Sequence, residues 1–134
     1  MKRVKLIDLP KIKDHRGNLS FFENSNQIPF DIKRTYWIHD VPGGAFRGGH
    51  AFMKSHEFII ALSGSFDVVL KDGELNKTIS LNRSYHGLYV PNLIWRTLEN
   101  FSTNSLVLIV SSIEFDDNDY IRDFKQFQKL KNEI

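Results

Sequence analysis

Apolar and polar positions alternate along this chain in short runs, and clusters of Gly, Pro, Asn and Asp interrupt them about every eight to twelve residues. The runs predict strands over residues 4–9, 19–23 and 33–39, then 58–62, 66–70 and 75–81, and finally 88–90, 94–98 and 106–112. Ser63-Gly64-Ser65 reads as the tight connection of a hairpin, and Lys71-Asp72-Gly73-Glu74 as a second turn. Many short strands with turn chemistry between them point to an antiparallel barrel or jelly roll. Residues 119–131 break the rule. There Tyr120, Ile121, Phe124, Phe127 and Leu130 fall at helical spacing behind an acidic run, which predicts a C-terminal amphipathic helix packed outside the barrel. The expected organisation is a single domain over 1–134, with the barrel in 1–116 and the helix and tail in 117–134.

The stretch from Gly44 to Gly64 holds the candidate chemistry. If the chain is extended from His50 to His56, then His50, Phe52, Lys54 and His56 project one way, and Ala51, Met53, Ser55 and Glu57 the other. Two imidazoles and an ammonium suit the wall of a polar pocket better than a core face. Histidine gives and takes protons near neutrality, although single histidines also serve as surface or satisfied core residues. Gly43-Gly44 and Gly48-Gly49 allow positive φ or a close approach of backbone to ligand. Arg47, between them, offers a fork suited to phosphate.

Composition narrows the classes. Hydrophobic residues at 41% and charged residues at 25% are ordinary globular values, so neither disorder nor membrane residence is favoured. A net charge of +2 without a Lys/Arg stripe argues against a nucleic-acid partner. There is no cysteine, which removes disulfides and thiolate chemistry. The N-terminus becomes charged before a signal-length apolar run develops, and no run is long enough to span a bilayer, so a soluble cytoplasmic protein is expected. The 11 phenylalanines suit a β core or a subunit interface.

Gly44, His50, Glu57 and Gly64 fall at the spacings of the cupin motif, whose metal-binding form needs further histidines. Phe52 stands at the second histidine position, and Trp95-Arg96 where another is due. A phenyl ring donates no lone pair and a guanidinium repels a cation, so no metal and no cofactor are expected. The run RGGHAxxKxxxFIIALSGSFDVVL resembles the sugar-nucleotide 3,4-ketoisomerase family. So do KRTYWI before it, LYVPNLIWR after it and DxxDYIRDFxxF near the end, and the resemblance covers nearly the whole chain.

The resemblance implies a metal-free cupin-type barrel and a homodimer with exchanged N-terminal strands. It also implies a dTDP-linked 4-keto-6-deoxyhexose as substrate, with its carbonyl moved from C4 to C3 through an enediol in deoxy- and amino-sugar biosynthesis. The family's histidine pair maps onto His50 and onto Phe52, which cannot exchange a proton. His50 is therefore the principal acid/base candidate, and Tyr36, at an aromatic position facing the family's site, the second. Arg34 and Arg47 are the diphosphate candidates, and Arg96 a further phosphate or sugar contact. Tyr89 stacks on the base or fills the core, while Phe52 and Lys54 share His50's face. His56 would lie about 20 Å from His50 in an extended strand, too far to replace the missing histidine unless the strand bends. Three outcomes stay open: a ketoisomerase, an epimerase-like relative, and a sugar-nucleotide-binding homologue without turnover.

Overall fold

A computed structural model describes residue 1 and residues 3–134. In chain order the strands are β1 (Lys5–Asp8), β2 (Lys11–Ile12), β3 (Leu19–Ser20), β4 (Arg34–Ile38), β5 (Arg47–Phe52) and β6 (Glu57–Ser63). They continue with β7 (Phe66–Lys71), β8 (Asn76–Leu81), β9 (His86–Val90), β10 (Trp95–Glu99), β11 (Leu106–Ser111) and β12 (Tyr120–Ile121), and the chain closes with α1 (Phe124–Glu133). One five-stranded sheet has the order β1-β9-β6-β11-β4 and the other β12-β5-β10-β7-β8, with β2-β3 a separate pair. All pairings are antiparallel. The expected all-β, cupin-type jelly roll with a C-terminal helix is present.

Burial explains why the runs alternate in some strands and not in others. Between the sheets lie Ile59, Ala61, Leu88, Val107 and Ile109 from one side, and Phe66, Val68, Leu70, Leu81 and Leu98 from the other. In β7 alternate residues Phe66, Val68 and Leu70 are buried and those between them only partly, the period of a strand with one covered face. In β6 the run from Glu57 to Ala61 is buried on both faces. Its second face, carrying Phe58 and Ile60, packs with Tyr89, Val110, Ile28 and Phe30 under the irregular segment that precedes β4. The outer face of the other sheet packs Ala51, Trp95 and Ile121 against Phe127 of α1.

Three local expectations are corrected. First, Ser63-Gly64-Ser65 is not a hairpin: β6 pairs with β9 and β11, while β7 pairs with β8 and β10, so the link crosses between sheets. Gly64 makes that corner with φ +70, and a Cβ there would meet Ser105 Cα at 2.9 Å. Lys71–Glu74 does form a hairpin turn, because β7 and β8 pair directly across it.

Second, the helix begins at Phe124, capped by the Asp123 side chain accepting from the Lys125 amide. Tyr120 and Ile121 are instead strand, paired with Phe52 and Ala51, so the second sheet extends beyond residue 116. Third, β5 stops at Phe52. Residues 53–56 turn into β6, which breaks the alternation expected through His56.

Candidate functional site

His50, Phe52, Tyr36, Arg34 and Arg96 meet where β4, β5, β6, β10 and β12 bring their inner faces together. His50 and Arg96 are directly opposed across the β5–β10 ladder, so both point between the sheets. Arg96 is 1% exposed and holds a buried network. Its Nε and Nη2 donate to Glu57 Oε1 at 2.8 and 2.7 Å, and Nη2 also lies 2.9 Å from the Tyr36 hydroxyl. Tyr36 in turn donates to Glu57 Oε2. Burial raises the Tyr36 pKa, with the Glu57 charge adding to it and Arg96 opposing. A buried guanidinium needs this pairing, since an uncompensated charge there is costly.

Of the glycines expected to admit a ligand, Gly48 admits Arg96. Gly48 has φ +70, and a Cβ there would sit 2.2 Å from Arg96 Nη1, the atom that donates to the Gly48 carbonyl at 3.3 Å. The ladder register shifts at this point, between Arg96 and Leu98. Glu57, read in the sequence only as a possible metal ligand, has its carboxylate engaged by Arg96 and Tyr36.

His50 is turned inward and only 7% exposed. Its ring meets Phe52 edge-on at 4.7 Å and Tyr120 at 4.9 Å between centroids. Its Nε2 is buried and has no hydrogen-bond partner among the described residues. Burial, then the charges of Arg96, Arg122 and Arg34, push its pKa down to about 2. The imidazole is thus neutral at physiological pH, and its Nε2 is uncommitted to the described residues. Buried polar atoms are nearly always satisfied, so an orphan of this kind calls for an explanation, and a function in proton exchange supplies one.

The remaining candidates divide. Arg34 belongs to the cluster: its Nη1 donates to the Tyr120 hydroxyl at 2.8 Å, and its guanidinium stacks 4.2 Å from the Tyr36 ring and 4.9 Å from Phe115. Phe52 belongs as well, buried against His50 and Tyr120. Arg47 is exposed at the start of β5, beside a surface depression lined by Trp37, His39 and Asp40.

Lys54 is exposed on the turn after β5 rather than on His50's strand face. Tyr89 packs among Phe58, Ile60 and Val110, on the far face of its sheet from Ile59 and Ala61, so its ring fills a core instead of facing His50. His56 bonds through Nδ1 to the Tyr89 hydroxyl and lies near Phe30, away from His50's partners. Burial lowers its pKa, with Arg3 adding to the effect.

Two contributors were missed in the sequence. Buried Asp119 accepts the Lys54 and Ser55 amides at 2.8 and 3.0 Å, and its carbonyl accepts from Met53. It thereby ties the turn after β5 to β12 and sets Tyr120 opposite Phe52. The DYIRDF run was visible, but its helical periodicity concealed that Tyr120 turns inward as strand.

Known proteins share this fold. Residues 2–132 match the family described as "FdtA: WxcM-like, C-terminal". The TDP-4-oxo-6-deoxy-alpha-D-glucose-3,4-oxoisomerase of Aneurinibacillus thermoaerophilus is 38% identical over 125 residues, covering 93% of this chain and 90% of the relative. A mutant form of the 3,4-ketoisomerase QdtA from Thermoanaerobacterium thermosaccharolyticum, solved with TDP-4-keto-6-deoxyglucose, superposes with a TM-score of 0.97 at 34% identity, covering 99% of this chain and 96% of that one. The WlaRB TDP-quinovose 3,4-ketoisomerase of Campylobacter jejuni superposes with a TM-score of 0.92 at 38% identity, covering 96% and 99%. Family match, identity and backbone agree over almost the full length, and the chain belongs to the FdtA family of WxcM-like C-terminal domains.

Proposed function

We propose that this chain is a sugar-nucleotide 3,4-ketoisomerase acting on a dTDP-linked 4-keto-6-deoxyhexose. The observation that carries the reading is the inward, neutral His50 with an unpartnered Nε2 beside the Arg96 guanidinium. The neighbouring ketone acidifies the sugar's C3 proton. His50 Nε2 takes that proton as the enediol forms, then delivers it to C4 as the carbonyl is made at C3. Tyr36, bonded to Arg96 and Glu57, completes the polar wall against which the sugar's oxygens rest. Arg34, and Arg47 nearer the surface, are assigned to the diphosphate.

Phe52 favours a second reading, in which turnover is altered or lost and the chain epimerises or only binds a sugar nucleotide. Incubation with TDP-4-oxo-6-deoxyglucose in deuterated water separates the cases by NMR. A 3-keto product is the ketoisomerase result, with protium at C4 where His50 passes on the proton it took and deuterium where that proton first exchanges with solvent. Exchange without carbonyl migration points to epimerase-like chemistry, and TDP binding with neither product nor exchange to a binding protein. A Phe52→His variant is expected to isomerise at least about tenfold faster than the parent, since one added acid/base group typically contributes 10²–10⁴-fold. A folded, TDP-binding Phe52→His protein no faster than the parent would remove position 52 from the account.

The assembly we propose is a homodimer with exchanged N-terminal segments, acting in the cytoplasm. β1 pairs with β9 of its own chain, but the β2-β3 pair stands outside both large sheets. Leu6, Ile12 and Leu19 on this segment are each more than half exposed, an apolar surface suited to a second copy. Sedimentation equilibrium at micromolar concentration is expected to give twice the 15.6 kDa chain mass. A monomer that sustains full activity would refute the exchange.

A further inference from the structure

We propose that Tyr120 is a catalytic residue of this site, carrying the oxygen-bound proton of the isomerisation between O4 and O3; the proposal rests on the ketoisomerase reading above. The reaction moves two protons. When the C3–H bond breaks, its electron pair forms the C3–C4 double bond and the carbonyl pair moves onto O4, which gains a proton. When the carbonyl forms at C3, the O3–H bond breaks, its pair makes the new C=O, and the double-bond pair takes a proton at C4. His50 accounts for the carbon-bound proton. The oxygens need a second carrier, and Phe52 stands where an imidazole would supply one.

Tyr120 is placed for that work. It pairs with Phe52 across the β12–β5 ladder, and its ring lies 4.7 Å from Phe52 and 4.9 Å from His50, centroid to centroid. Its hydroxyl accepts from Arg34 Nη1 at 2.8 Å and donates to no protein group among the described residues. One guanidinium, that of Arg34, thus meets the oxygen that would bear negative charge between the two transfers, and a second, Arg122, lies over the face of the same ring at 4.1 Å. Tyr36, the other hydroxyl of the cluster, directs its proton to Glu57. Tyr120 therefore gives its proton to O4, holds the charge beside Arg34, and recovers a proton from O3. At the end of the cycle both His50 and Tyr120 are as they began.

The test is the rate of 3-keto product formation from TDP-4-oxo-6-deoxyglucose by the whole chain, its Tyr120→Phe and Phe52→His variants and the Phe52→His/Tyr120→Phe double variant. Tyr120→Phe keeps the ring packing and is expected to lower kcat about 10²-fold or more, with TDP affinity and melting temperature unchanged. Adding Phe52→His is expected to speed the Tyr120→Phe enzyme by at least about tenfold more than it speeds the parent, an excess that a merely structural tyrosine would not give. A Tyr120→Phe enzyme within threefold of the parent overturns the proposal alone, and so does a loss that the added histidine leaves untouched. A parent chain that binds TDP yet forms no product overturns the ketoisomerase reading and this proposal together. Should Tyr120→Phe lose its fold, Arg34→Gln takes its place, measured at saturating TDP-4-oxo-6-deoxyglucose so that a weaker hold on the diphosphate enters KM alone: kcat is expected to fall at least about tenfold, and an unchanged kcat overturns the proposal.

Discussion

Replacing His50 with asparagine is expected to lower ketoisomerisation about 10³-fold while leaving the affinity for TDP within about twofold, because the change removes a proton carrier and not a phosphate contact. Product formation by NMR and TDP binding by calorimetry measure the two halves separately. A His50→Asn enzyme that keeps a tenth of the parent rate would take the central base out of the mechanism. The same variant has a thermodynamic signature. Burial, reinforced by the charges of Arg96, Arg122 and Arg34, holds the folded pKa at about 2, below the ordinary histidine value of 6.5. Below that ordinary value the unfolded chain binds a proton that the folded chain does not. Stability attributable to His50 is therefore fully present above pH 6.5 and declines as the pH falls, by at most about 1.4 kcal/mol per pH unit. His56, whose pKa is also lowered, acts with the same sign. Urea denaturation at pH 5 and pH 7 should show a smaller difference for His50→Asn than for the parent.

The largest effect on stability is expected at Glu57. Glu57 and Arg96 are each 1% exposed, and the carboxylate carries the charge that balances the guanidinium. Glu57→Gln leaves that guanidinium buried without its counterion, at a cost of about 3–5 kcal/mol. For a domain of this size the melting temperature should fall by roughly 10–20 °C. Removing both charges tests the cause. The Glu57→Gln/Arg96→Met double variant should recover much of the loss, because replacing a buried pair by apolar groups is often close to neutral. Thermal unfolding of the three proteins decides it: a Glu57→Gln melting point within 3 °C of the parent would show that the pair does not hold the strands together as described.

Glu57 also illustrates where sequence reading ends. Strand periodicity placed it opposite His50 on an assumed continuous strand, whereas the turn over residues 53–56 resets the alternation and turns its carboxylate inward to Arg96. No spacing rule anticipates such a reset, because it depends on Asp119, more than sixty residues away, capturing two amides of the turn. Tyr120 is a similar case. Its neighbours Ile121, Phe124 and Phe127 continue a helical pattern, yet the open edge of β5 offers backbone partners that an isolated helical turn cannot match. Ser63-Gly64-Ser65 has the chemistry of a hairpin, but which strands pair is decided by ladders with β9, β10 and β11 that lie far along the chain.

What the chain alone determined is local and periodic. Alternation and turn residues specified an antiparallel jelly roll, and the Gly-rich run marked the strand bearing His50. Side-chain direction follows from the backbone period wherever a strand is regular, so these features could be read without coordinates. Only the tertiary structure decided which polar groups meet: Arg96 with Glu57 and Tyr36, Arg34 with Tyr120, and His50 with nothing at its Nε2 among the described residues. Those meetings join residues distant in sequence, and their energies depend on exclusion from water, which no local pattern encodes.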